Sequence, residues 1–335
     1  MQNRRFYLER GEAGFGLASE VVVAPRPGPG EVLVRMRAVA LNRRDFSIRD
    51  TTYPVPPDAD RFTPLSDGAG EVAAVGEGVT TVKVGDRVAS TFFQTWPDGR
   101  VSMTALMSAL GAGGLGVFAD HAILKETGVV PLPDTWSFEE GASLSCAAVT
   151  AWSALVRLGR MQAGDKVLVI GTGGVALFAL QIAAASGAIV VVVSSSDDKI
   201  ARAKALGAAH GVNYGQHPEW ETQVQDMAGG VDHLLELGGG TLTRSLASMA
   251  LGGHVALIGG LAGPAGDIPM RGLRMKSLRV SSVTVGSRAD HLAVQDFMVR
   301  RDLRPVIDSV FHAAAAEDAY RRLDAGAFGK VVIRL

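Results

Sequence analysis

The chain has 335 residues, of which 47% are apolar and 20% charged, with a net charge of −1. That length holds two cores. The near-zero charge excludes the basic field that binds nucleic acid or an anionic membrane, and a single cysteine, Cys146, excludes an internal disulfide, a four-cysteine zinc lobe and a CxxC redox pair.

The opening MQNRRFYLERGEAG has no apolar signal core, and no apolar run reaches the roughly 18 residues of a membrane span, so a cytoplasmic location is expected. The first 125 or so residues read as strands and turns. Glu31–Arg37 alternates polar and apolar residues, as a half-buried strand does, and Gly70–Val75 and Asp86–Ala89 are further short strands. GEGV and KVGD mark turns between them. The Gly-, Met- and Ala-rich stretch from Phe92 to Gly116 reads as a loop or short helix over a cleft, with Phe92, Phe93 and Trp96 either lining a substrate pocket or packing as plain core. After Pro131 helical spacing begins. Ser137 and Glu140 form a capping box that opens a helix over Phe138–Leu158. Strands at Lys166–Ile170, Ile189–Val193, Gly211–Asn213, His233–Leu237, His254–Ile258 and Leu278–Val283 then alternate with helices at Gly173–Ala185, Asp197–Leu206 and Leu242–Ala250. Six strands in this grammar predict a doubly wound parallel sheet. The tail carries helices near 289–300 and 316–324 and a last strand, KVVIRL.

The sharpest signal is VLVIGTGGVALFALQIA, residues 167–183. A strand enters Gly171-Thr172-Gly173-Gly174-Val175-Ala176 and a helix leaves it, which is a dinucleotide fingerprint in the required setting. Gly171 permits the tight turn, Gly173 lets backbone approach a pyrophosphate, and Ala176 lets the helix pack on the strand. An NAD enzyme places an acid at the end of the second strand to hold the ribose hydroxyls. Here that end reads Ser194-Ser195-Ser196, with Lys199 and Arg202 one turn on. Hydroxyls and cations suit a 2′-phosphate, so NADPH is the expected cofactor.

At these residues the chain resembles the medium-chain dehydrogenase/reductase superfamily, in its zinc-free quinone oxidoreductase-like branch. The resemblance rests on AVALNRRD (38–45), PLSDGAGEVAAVGEGVTTVKVGDRV (64–88), LSCAAVTAW (144–152), VIGTGGVALFALQIA (169–183), AKALGAAHGVNY (203–214) and GKVVI (329–333). It implies an α/β protein: a GroES-like β-rich catalytic domain over 1–127, completed by 285–335, and a Rossmann NADPH-binding domain over 128–284, with the active-site cleft between them. It implies a homodimer. It assigns Ser195, Lys199 and Tyr214 to the 2′-phosphate, Thr150, Gly259 and Gly260 to the nicotinamide, and Lys330 of GKVVI to the cofactor as well.

Zinc alcohol dehydrogenases of the superfamily hold their metal at positions that match Asn42, Ser66 and Cys146. Two neutral oxygens and one sulfur balance the charge of Zn²⁺ poorly, so no metal is expected. Without a Lewis acid, hydride transfer suits a carbon that is already electron-poor: an enone, an enal or a quinone. The expected partner is thus a small electrophilic substrate. Asn42, Arg43 and Tyr53 are candidate donors to its developing oxyanion. Asp67 is a candidate proton relay or a structural acid. Arg43 stands where quinone reductases often carry an aromatic residue, and it reads either as a cation for an anionic oxygen or, with Arg44, as a surface contact. Two other functions fit the same motifs: a zinc-independent alcohol or aldehyde dehydrogenase, and an NADPH-binding sensor or structural protein without turnover.

Overall fold

The computed structural model describes residues 1–335 except Ala13, Gly239 and 260–268. The chain forms two compact units. One comprises Met1–Val149, Gly286–Phe297 and Ile307–Leu335; the other comprises Thr150–Val285 and Met298–Val306.

The first unit is built on β1 (Gln2–Gly11), β2 (Gly14–Val23), β3 (Glu31–Leu41), β4 (Arg61–Phe62), β5 (Asp67–Val75), β6 (Arg87–Ser90), β7 (His121–Lys125) and β8 (Val129–Pro131). Its early helices are α1 (Arg43–Arg49), α2 (Met103–Leu106), α3 (Phe138–Ala142) and α4 (Ala147–Trp152), the last running across the boundary into the other unit. β2, β1 and β4 make a small antiparallel sheet. The core under the larger sheet holds Val34, Met36, Val39, Leu124 and Phe118, with Phe6 stacked on Phe118 at 3.9 Å. Each such fully buried side chain contributes about 1.5–3 kcal/mol.

The second unit carries β9 (Lys166–Ile170), β10 (Ile189–Ser194), β11 (His210–Asn213), β12 (Val231–Glu236), β13 (Met249–Leu257) and β14 (Arg279–Ser282). Its helices are α5 (Gly174–Ala185), α6 (Asp197–Ala205), α7 (Trp220–Ala228), α8 (Leu242–Ala247) and α9 (Met270–Met275). The sheet order is β11-β10-β9-β12-β13-β14, all parallel. This is the doubly wound order of a dinucleotide fold. Val167–Val169 and Val190–Val193 are wholly buried because both faces of such a sheet are covered, which explains their unbroken apolar runs.

The chain then runs through α10 (Arg288–Arg300), β15 (Ile307–His312), α11 (Ala316–Asp324) and β16 (Lys330–Arg334). β16 enters the large sheet of the first unit, in the order β15-β16-β3-β5-β6-β8, with Val331 opposite Leu41. Among the described residues no helix is long and apolar enough to cross a membrane.

Three expectations are corrected. The expected boundary at 127/128 lies 22 residues too early, since the first unit runs to Val149: β8 pairs with β6, so the segment after 128 belongs to the first sheet. Residues 298–306 likewise belong to the second unit, not the first. The single helix over Phe138–Leu158 is instead α3, α4 and a π-helical turn over Ser153–Leu158. The capping box does form, with Glu140 N–H donating to Ser137 Oγ at 3.1 Å and Ser137 N–H to Glu140 Oε2 at 2.7 Å. The helix breaks because Cys146 N–H donates to the Asp67 carboxylate at 3.1 Å, not to a carbonyl one turn back. β1, β2, β4, β7, β8, β15, α1, α7 and α9 have no assignment from the sequence. α7 was readable: Trp220, Val224 and Ala228 recur every four residues and all three are buried.

Candidate active and cofactor sites

The glycine turn has the geometry the fingerprint requires. Gly171 has φ +88°, a left-handed conformation that disfavours any side chain, and its N–H donates to Val193 O at 2.7 Å. Among the described residues a Cβ built at Gly171 or Gly173 would meet nothing within 4 Å. α5 begins at Gly174 with no side-chain cap on its free N–H groups, which leaves those of Gly174 and Val175 for an anion. Thr172 is buried in the turn. A cradle with open glycine faces and an uncapped twelve-residue helix fits a pyrophosphate.

At the end of β10, Ser194 is buried and its carbonyl takes the Tyr214 N–H at 3.0 Å, while Ser195 is exposed. Ser196 caps α6, its Oγ accepting from Lys199 N–H, so one of the three serines is spent on the helix. Tyr214 is exposed and Lys199 half-buried. The first acid after the strand, Asp197, is also occupied: it accepts from Asn213 Nδ2 at 2.8 Å and Gln216 Nε2 at 2.6 Å. Each oxygen of Asp197 thus already accepts one hydrogen bond from the end of β11 or just beyond it. Thr150 is buried in α4 and Gly259 exposed after β13. Gly260 lies outside the described residues.

In the first unit a buried charged centre joins segments far apart in sequence. Asp67 is 0% exposed at the start of β5 and Lys330 2% exposed at the start of β16. Lys330 Nζ donates to Leu41 O at 2.9 Å, Asn42 Oδ1 at 2.7 Å and Asp67 Oδ2 at 3.4 Å. Three acceptors take the three ammonium protons, and the register of β16 on β3 sets residue 330 beside Asn42. Asp67 Oδ1 takes the Ser66 hydroxyl at 2.7 Å. Asn42 caps α1, and its N–H donates to Asp45 Oδ2 at 2.7 Å. Burial holds the Asp45 carboxyl up at about 6, against the pull of Arg44. Burial, with the Asp67 carboxylate, pushes the Cys146 thiol up to about 12, so Cys146 is a neutral thiol.

The donor set matching the superfamily's zinc position is thus committed elsewhere. Asn42 Oδ1 is taken by an ammonium, Ser66 Oγ donates to a carboxylate, and Cys146 keeps its proton. These residues do not fit Zn²⁺, which needs free, deprotonated ligands. Among the described residues no cluster of three or more His, Cys, Asp or Glu side chains is arranged for a metal.

Arg43 does not serve as the cation of this centre. Its Nη1 donates to Asp324 at 3.0 Å and its guanidinium lies over Phe46 on an exposed face. Arg44 packs instead against the rings of Phe92 and Tyr53. Phe93 and Trp96 are buried against each other with centroids 5.6 Å apart. They pack as part of the core of their loop. His291 of α10 had no role in the sequence reading. It is 1% exposed with both ring nitrogens unpartnered among the described residues. Burial lowers its imidazole to about 4, although the Asp67 carboxylate pulls the other way. No motif announces it; only the fold brings α10 to Asp67.

Comparison with known proteins agrees with this architecture. Residues 28–134 match the alcohol dehydrogenase GroES-like domain and residues 174–300 the zinc-binding dehydrogenase family. A zinc-type alcohol dehydrogenase-like protein of Schizosaccharomyces pombe is 39% identical over 94% of each chain. A quinone oxidoreductase of Pseudomonas aeruginosa is 32% identical over 89% of each. Among solved structures, a protein of Sinorhizobium meliloti 1021 described as an alcohol dehydrogenase candidate superposes with a TM-score of 0.93 at 39% identity, covering 100% of this chain and 99% of that one. An NAD-dependent alcohol dehydrogenase superposes with a TM-score of 0.87 at 32% identity over 99% of both. The chain belongs to the medium-chain dehydrogenase/reductase superfamily and is an NAD(P)H-dependent oxidoreductase.

Proposed function

We propose that the protein reduces a carbon–carbon double bond conjugated to a carbonyl, or a quinone, with NADPH and without a catalytic metal. The observation that carries this reading is the Lys330–Asn42–Asp67 network, which, with the Ser66 hydroxyl bound to Asp67, engages two of the three positions a catalytic zinc would use. Bound NADPH supplies the hydride. The chain's own residues orient and protect. Gly171–Val175 and the start of α5 receive the pyrophosphate. Ser195, Lys199 and Tyr214 receive the 2′-phosphate, a role supported by the engagement of Asp197 with Asn213 and Gln216. Thr150 and Gly259 bound the nicotinamide. Lys330 holds Asn42 Oδ1, which fixes the amide so that its Nδ2 stays available as a donor. Asp67 neutralises that ammonium and locks Cys146 through its N–H.

The protein works in this reading as a homodimer. The edge strand β14 is exposed along most of its length, with Leu251 and Met275 exposed in the same unit, and a second copy would cover it. Light scattering at micromolar concentration tests this, and a monomer mass refutes it.

Turnover of 2-cyclohexenone, 2-hexenal, 1,4-benzoquinone, hexanal and benzyl alcohol, each with NADPH or NADH (oxidised forms for the alcohol), tests the chemistry. Activity confined to the saturated carbonyl and the alcohol would establish a dehydrogenase instead, the activity named for several relatives. A preference for NADH would overturn the phosphate assignment alone. Zinc that copurifies at one per chain, and whose removal abolishes turnover, would overturn the metal-free centre.

A further inference from the structure

Arg44, the second residue of α1, is held unlike the other arginines of its helix. Arg43 ends on Asp324 and Arg49 on Glu317. The Arg44 guanidinium lies 4.4 Å from the ring centre of Phe92 and 5.3 Å from that of Tyr53. Its Nη2 donates to Leu110 O. Nε and Nη1 are buried and have no partner among the described residues. A buried donor without an acceptor costs about 1–3 kcal/mol, and more when charged. A carboxylate stands next in sequence: Asp45 Oδ1 is buried and equally unpartnered, yet no hydrogen bond joins the two. A second donor is unanswered two residues away, at Asn42 Nδ2. The guanidinium lies against both rings, and its remaining N–H groups donate in its own plane. Its charge also reaches the buried centre, because it opposes the rise of the Cys146 thiol and of the Asp45 carboxyl.

We infer that Arg44, with Asn42 Nδ2, receives the substrate's carbonyl oxygen and holds it as that oxygen becomes an enolate or hydroquinone anion. The inference rests on the proposed reduction of a conjugated double bond. In that reaction the reduced nicotinamide gives two electrons and a proton, as hydride, to the β-carbon. The double-bond pair moves toward the carbonyl and leaves negative charge on its oxygen. Arg44 stabilises that charge by hydrogen bonding, and water then protonates the α-carbon. The nicotinamide is oxidised and the alkene reduced. A cation that is already desolvated and oriented needs no rearrangement when the charge appears.

The test has a binding arm and a kinetic arm. In the first, 4-nitrophenol is titrated spectroscopically with the protein saturated in NADP⁺. The wild type should keep the bound phenol ionised about one pH unit below the free compound, roughly a tenfold preference for the anion, and Arg44→Met should abolish that shift. In the second, Arg44→Met should lose about 100-fold in kcat/KM on 2-cyclohexenone, the size of one lost oxyanion donor, with NADPH affinity unchanged. Arg44→Lys should retain an intermediate rate. Guanidinium at millimolar concentration should restore Arg44→Ala, because the Phe92–Tyr53 slot stays in place, and this arm decides if Arg44→Met folds poorly. An unshifted phenol in the wild type, equal ionisation in wild type and Arg44→Met, or an Arg44→Met rate within threefold of wild type overturns the inference. A wild type that ionises the phenol but reduces only saturated carbonyls sinks the proposed reaction and leaves Arg44 as an anion holder.

Discussion

The two units build their sites by opposite means. In the second unit the proposed binding groups come from short contiguous stretches: backbone N–H groups of Gly171 to Val175 in one turn and, mostly, side chains of Ser194 to Lys199 in the next. In the first unit they are the buried side chains of Asn42, Asp45, Ser66, Asp67, His291 and Lys330, with the half-buried Arg44 and Cys146 beside them. A backbone site depends on a local turn and is separable from the core. A side-chain site made of buried charges is part of the core, and its mutation strikes stability before it strikes chemistry.

The contrast is sharpest at Lys330. Lys330→Met should leave Asp67 and Asn42 Oδ1 without their cation and destabilise the protein by about 3–5 kcal/mol, seen as an earlier urea midpoint. Cofactor affinity in the folded fraction should change little. A Lys330→Met protein of wild-type stability would break the comparison. Next in size is a pH effect. Burial holds the His291 imidazole down at about 4 when folded, below its ordinary value near 6.5. Between those values the unfolded chain binds the extra proton. Stability should therefore be full above pH 6.5 and fall with acidification toward 4, by about 2 kcal/mol at pH 5. His291→Phe should remove that slope, as read from urea unfolding at pH 5 and 8, and an unchanged slope would rule His291 out. Gly171→Ala, at φ +88°, should cost about 1–2 kcal/mol of backbone strain and weaken NADPH and NADH alike. Ser194→Asp should shift the NADPH/NADH preference toward NADH by about tenfold, or about 1.4 kcal/mol, with stability close to wild type. Lys199→Ala should give a smaller shift in the same direction. If neither substitution moves the ratio, the 2′-phosphate lies elsewhere.

Legibility follows the same division. The turn at 171–175 and the strands β9 and β10 were readable because strand, turn and helix are contiguous and each has its own periodicity. Arg43 and Arg44 could not be told apart. Which of two adjacent arginines turns inward is set by Phe92 on one side and by Asp324, 281 residues away, on the other. Lys330 carried a family motif but drew its role from strand register, which no local pattern records. His291 lies in an amphipathic tail helix and reads as one more half-buried residue until its neighbours are known. The expected long helix after Ser137 failed for a related reason: the hydrogen bond that breaks it comes from Asp67, 79 positions earlier.

The bond between Asn42 and Lys330 spans 288 positions and sets an order of assembly. The ribosome releases β3 and Asp67 early, then all of residues 150–285, and only afterwards the strand that neutralises them. During that interval the nascent chain holds an unpaired carboxylate and a bare strand margin at 38–41, where β16 will dock. The inserted half can mature while its host waits, so the portion made first is the portion finished last.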